Sequence, residues 1–109
     1  MKIENKDKTT IIKNTSSDIN SFIENIITEL INFKIQNLII DLTTTNVTVK
    51  DIKLFAEASK THKKNKKSFV IVANDIDYNA VPTKISVVPS IQEANDCIEM
   101  EEIERDLGF

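Results

Sequence analysis

The sequence predicts an α/β domain with a mixed, mostly parallel sheet of about five strands, an N-terminal β-hairpin and about three main helices, in the order ββαβαββα. Three observations predict it. Residues 38–42 (Leu-Ile-Ile-Asp-Leu) and 68–73 (Ser-Phe-Val-Ile-Val-Ala) are short runs that are apolar on both faces except at Asp41 and Ser68, as in strands covered by helices on both sides. The segment between them has helical periodicity, and a strand-helix-strand unit of this kind makes a right-handed crossover and pairs its strands in parallel. Before the first run, Ile19, Phe22, Ile23, Ile26, Ile27, Leu30 and Ile31 recur at the spacing of an amphipathic helix.

Each element follows in order. Residues 2–4 and 9–13 flank the polar, turn-prone Asn5-Lys6-Asp7-Lys8 and read as a weakly alternating hairpin at a sheet edge. Residues 14–17 are a polar break with several candidate caps, of which Thr15, three before Asp18, fits best. The first helix runs to about Phe33, with Asn20, Glu24, Asn25, Glu29 and Asn32 outward. After the strand at 38–42, Thr48-x-x-Asp51 has the capping-box spacing that opens a helix. Ile52, Phe55, Ala56 and Ser59 are expected to face in, with Val49 beside them. The lysine-rich segment 60–67 suits the negative end of a helix dipole, and Asn65 is the expected left-handed terminator. Asp75, Asp77 and Asn79 indicate a loop or a single helical turn closed by Pro82. Residues 84–88 read as a last short strand. Ser90 and Glu93 open a final helix to about Leu107, with Ile91, Ala94, Cys97, Ile98, Ile103 and Leu107 expected on its inner side and Gly108 at its terminator. No repeat or linker divides the chain, so residues 1–109 are expected to form one domain.

Composition narrows the function classes. A net charge of −3 gives no global attraction to nucleic acid. The single Cys97 excludes an intramolecular disulfide, and with no signal sequence and no membrane-spanning run it fits a cytoplasmic protein. One histidine, His62, excludes a histidine-rich metal site, and one glycine leaves no glycine-rich phosphate loop. Motifs for a zinc site, a thiol redox pair or a nucleophile elbow are absent, so no enzyme activity and no cofactor are expected.

The stretch that draws attention is residues 37–51, a buried strand feeding a threonine-rich loop and then a helix start, which is where open α/β sheets place their sites. Asp41 ends the strand. A phospho-acceptor there, as in two-component receiver domains, needs a preceding acidic pair for magnesium and a lysine two strands later, and the chain offers neither. Asp41 is therefore expected to bond loop amides. Thr43, Thr44, Thr45, Asn46, Thr48, Lys50 and Asp51 form the candidate contact surface. Thr48 is first a helix cap and second a candidate phospho-acceptor, and the amides around it are a candidate site for a small anion or nucleotide, the alternative function. The lysines of 60–67 read as a solvated helix end, since they lack the interleaved aromatics of a nucleic-acid groove. The seven carboxylates of 93–106 read as a solvated face without calcium-loop spacing. Opposite charge at the two ends allows weak head-to-tail self-association.

Residues 38–43 (Leu-Ile-Ile-Asp-Leu-Thr), the helix carrying Leu54-Phe55-Ala56, residues 66–72 (Lys-Lys-Ser-Phe-Val-Ile-Val) and residues 87–94 (Val-Val-Pro-Ser-Ile-Gln-Glu-Ala) resemble the STAS domain, from about Leu38 to the last helix. That resemblance implies a STAS-like fold and a non-enzymatic module like the bacterial anti-sigma-factor antagonists, which meet a kinase-type anti-sigma factor near the start of the second helix. The antagonists carry there an Asp-Ser pair whose serine is phosphorylated. Thr48-Val49 stands in its place here, so a phospho-switch would act through Thr48. The chain is also similar to short bacterial STAS-like proteins that end as residues 100–109 do, some of which carry a ribonuclease Z label. With His62 its only histidine, it lacks that nuclease's metal ligands, which leaves an accessory role in RNA processing as the last alternative.

Overall fold

A computed structural model describes residues 1–15 and 18–108. Ser16 and Ser17, within the expected polar break, and Phe109 lie outside the described residues. Five strands, β1 (Lys2–Lys6), β2 (Thr9–Lys13), β3 (Asn37–Asp41), β4 (Phe69–Val72) and β5 (Ser86–Val88), form one sheet in the order β1-β2-β3-β4-β5. Only the β1–β2 hairpin is antiparallel, and β2, β3, β4 and β5 run parallel. The hairpin turns at Asp7, whose φ of 59° is a left-handed conformation that aspartate tolerates. β1 is the exposed edge, while β2 is an inner strand paired with β3 from Thr9↔Asn37 to Lys13↔Asp41.

Both faces of the sheet are covered. Right-handed crossovers between successive parallel neighbours place their helices on one face. There α1 (Ile19–Glu29), α2 (Val49–Lys53) and α3 (Ala56–Lys64) bury Phe22, Ile26, Ile52, Phe55 and Ala58 against Ile12, Leu38, Ile40, Phe69 and Ile71. On the other face, α4 (Ile91–Asp106) buries Ala94 and Ile98 against Ile11, Ile39, Val70 and Val72. The period-2 alternation of each strand therefore feeds two cores, and this explains why β3 and β4 read as unbroken apolar runs.

Several expectations are corrected. The cap of α1 is Asp18 itself, whose carboxylate accepts from Asn20 N at 3.1 Å and Ser21 N at 3.4 Å, in place of Thr15. The first helix is α-helical only to Glu29 and continues as a 3-10 turn over Leu30–Phe33. Ile27 and Ile31 are 49% and 72% exposed instead of facing in. The expected second helix is two pieces bent at Leu54 and Phe55, so Ala58, in place of Ala56, is buried beside Phe55. The left-handed residue is Lys66, with φ of 61°, one position after the expected Asn65, whose φ is −83°. The inner side of α4 stops at Ile98 as an apolar surface. Ile103 and Leu107 are 49% and 68% exposed, while Glu101, Glu102 and Arg105 turn toward the starts of β3 and β4. Gly108, with φ of 85°, follows the last helix as expected.

Candidate functional site

The loop after β3 is held from beneath by two buried side chains. Asp41 Oδ1 accepts from Thr43 N at 2.9 Å and from Thr43 Oγ1 at 2.7 Å, closing a turn directly after the strand. The Asp41 carboxylate thus shapes the loop, as its position at a strand end led one to expect. Asn14, the first residue after β2, ties the neighbouring strand to the same loop. Its N donates to Asp41 O at 3.1 Å and its Nδ2 to Thr45 Oγ1 at 2.8 Å, while Thr44 Oγ1 approaches Asn14 O at 3.5 Å. Thr45 N closes on Leu42 O at 3.0 Å.

The second half of the segment is a helix start fixed by both polar and apolar contacts. Thr48 Oγ1 accepts from Asp51 N at 3.2 Å, and Asp51 Oδ2 accepts from Thr48 N at 3.0 Å, which completes the capping box. Val47, just before the cap, is buried in the same core as Ile52 four positions after it, the arrangement of a hydrophobic staple. A cap of this kind is worth about 1 kcal/mol. The structure therefore brings all seven sequence-derived site residues into one surface segment. Thr44, Asn46, Thr48 and Lys50 are exposed, and Thr43, Thr45 and Asp51 are partly covered by their own hydrogen bonds.

This geometry bears on the chemistry the segment can perform. α2 has five residues, and the Asp51 carboxylate already lies at its start, so an incoming anion meets a resident negative charge. A phosphate on Thr48 would likewise stand beside Asp51, and like-charge repulsion would open the box. Among the described residues, no group of three or more His, Cys, Asp and Glu side chains is arranged to hold a metal ion. Cys97 is half-buried on α4, and its Sγ donates to Glu101 Oε2 at 3.5 Å. Burial first, then the Glu101 charge, push its thiol up to about 11, which makes it a poor nucleophile.

Among the buried polar residues that the sequence left without a role, two bear on this region. Asn14 is one, and no local pattern marks a residue that bonds a loop 31 positions away. The other is His62, fully buried on α3, whose Nε2 lies 2.6 Å from Gln36 O. Because a carbonyl only accepts, Nε2 carries the proton, and Nδ1 has no hydrogen-bond partner among the described residues. Burial, reinforced by the nearby Lys67, holds the His62 pKa below its usual 6.5 against the opposing Gln36 bond. The unfolded chain binds a proton near 6.5 and the folded chain resists it. Stability from this group is therefore complete above pH 6.5 and is lost as the pH falls toward the lowered folded value. The Asp18 carboxyl, lowered mainly by the Ser21 hydroxyl, titrates from 3.8 downward and leaves this window clear. The melting temperature is expected to fall between pH 7.5 and 5.5, and His62→Gln is expected to flatten that slope. An unchanged slope in the variant would assign it to other groups.

No protein-family model matches the chain, and no curated protein matches it.

Proposed function

We propose that the chain is a cytoplasmic, non-enzymatic regulatory module of the STAS type that docks a protein partner through residues 43–51 and the exposed side of the helical arm that follows. The single observation that carries this reading is the hydrogen-bond network that holds the segment. Its inward polar groups are bonded to Asp41, Asn14 and each other, while Thr44, Asn46, Thr48 and Lys50 stand exposed beside Leu54, which is 48% exposed. A contact surface held in place before binding loses little entropy on association. The support from the fold is coarse: a hairpin, parallel strands and covering helices in one α/β domain, with only a 3-10 turn at Tyr78–Ala80 between the last two strands. The partner class it implies is a serine/threonine kinase-type anti-sigma factor. Phosphorylation of Thr48 would then act as a release signal, by opening the capping box.

The test is a pull-down from the native cell, read by mass spectrometry, with wild type, Thr48→Glu and Asn46→Arg as baits. Wild type is expected to retain a discrete protein, and both variants to recover about tenfold less of it, a loss of about 1.4 kcal/mol in binding. Thr48→Glu, which disturbs only an exposed cap, is expected to remain folded with a stability loss of about 1 kcal/mol. Equal recovery by all three baits would remove the segment from the interface.

A further inference from the structure

We infer that two copies of the chain pair about a two-fold axis along the groove between α1 and α3, with their α1 helices antiparallel. The contact uses the α1 side of α3 and none of residues 43–51, so it stands independently of the docking proposed for them.

The apolar part of this surface is what the sheet leaves uncovered. Ile27, Leu30, Ile31 and Lys34, spaced i, i+3, i+4 and i+7, form one wall of an open groove of about 340 Å3. Glu57, Ala58, Thr61 and Asn65 form the other wall. Ile27 and Ile31 are 49% and 72% exposed, and Ile35 just beyond them is 70% exposed. Exposed branched side chains gathered in one place mark a contact site.

The charges of the groove say what covers it. α1 connects β2 to β3, and the helical arm ending in α3 connects β3 to β4, so both run against the strands and parallel to each other. The two charged groups of the lining therefore stand at opposite ends, Glu57 in the first turn of α3 and Lys34 at the close of the α1 wall. Glu24, exposed one turn before Ile27, adds a second carboxylate at the Glu57 end. Glu29 is partly covered and accepts from Asn32. Lys60 and Lys64 line a separate cavity with Thr83 and Lys84, and Lys53 lies on α2 outside the lining.

A groove with acid at one end and lysine at the other is its own complement when turned end for end. Antiparallel pairing that sets Ile27 against Ile31 of the second copy also sets Glu24 against its Lys34, since both pairs are centred on position 29. The two-fold axis repeats each of these contacts, as an isologous interface requires. Parallel pairing would oppose glutamate to glutamate and lysine to lysine. The antiparallel contact is small, which places it among weak interfaces, and it closes at two copies.

Sedimentation velocity of the whole chain, over a concentration series reaching about 1 mM, tests this. Wild type is expected to form a dimer with a Kd of about 0.1–1 mM and to grow no further. Glu24→Lys and Lys34→Glu each bring like charges together, and each variant alone is expected to dimerise about tenfold more weakly with an unchanged circular dichroism spectrum. Mixed, the two variants are expected to pair 1:1 at least as tightly as wild type, because every lysine then meets a glutamate. The double variant Glu24→Lys/Lys34→Glu is expected to recover the wild-type dimer for the same reason. Wild type that stays monomeric, growth past the dimer, single variants that dimerise as wild type does, or a mixture that does not pair would each overturn the inference.

Discussion

Phe55→Ala is expected to lower stability by about 3–5 kcal/mol, a large share of the 5–15 kcal/mol typical of a domain. Phe55 is fully buried at the bend between α2 and α3, with its ring centroid 6.5 Å from that of Phe22 and 6.4 Å from that of Phe69. It thus joins α1, the helical arm and β4 at one point, and alanine would leave a cavity lined by all three. The bend also follows directly on the helix that Thr48 caps, so the loss should reach the helix start. Urea unfolding is the measurement, with the midpoint expected to fall at nearly constant slope. A loss below about 1 kcal/mol would show that the neighbours collapse into the space and that Phe55 does not organise this face.

Ile98→Ala is expected to cost about 2–5 kcal/mol and to loosen one face of the sheet selectively. α4 is anchored by few apolar contacts, with Ala94 and Ile98 its fully buried residues and Ile91 and Cys97 partly covered. Beyond Ile98 the inner side is polar: Ser68 Oγ donates to Glu101 Oε1 at 2.5 Å, and Asn37 Nδ2 to Glu102 Oε2 at 3.3 Å. Those bonds orient the last turns, and because they replace bonds to water each contributes at most about 1.5–3 kcal/mol net, even to a charged acceptor. Hydrogen exchange of α4 amides should therefore accelerate far more than that of β3 amides. Uniform acceleration across both would mean that the two cores unfold as a single unit.

The sequence discloses most of this fold where signals are local. Thr48 and Asp51 form the capping box that their spacing announces, and Gly108 takes the left-handed position after the last helix. Asp41, at the end of a buried run, bonds the loop amide next to it. The buried strands are legible because both of their faces are apolar. What the sequence hides is the identity of each neighbour. Ile27, Ile31, Ile103 and Leu107 satisfy helical spacing, yet periodicity gives the width of an apolar stripe and not how much of it the sheet covers. A 16-residue α4 is about 24 Å long, against about 10–17 Å for strands of three to five residues, so a helix of this length outruns the sheet's apolar face. His62 was open to discovery, because the inward series Ile52, Phe55 and Ser59 continues at helical spacing to position 62. Asn14 was not, since its partners Asp41, Thr44 and Thr45 lie some thirty residues away and nothing local marks them.

The central claim is that residues 43–51 are a preorganised protein-contact surface. The most direct measurement is an amide-resolved NMR titration of the labelled chain with the protein recovered by the wild-type bait. Shifts are expected to concentrate at Thr44, Asn46, Thr48 and Lys50 and to continue onto Leu54, with β1 and α4 unchanged. Inorganic phosphate added to the free chain is expected to leave those amides unmoved, because Asp51 already faces the helix start. Partner-induced shifts confined to other surfaces, or saturable phosphate shifts at Thr44 to Lys50, would contradict the claim.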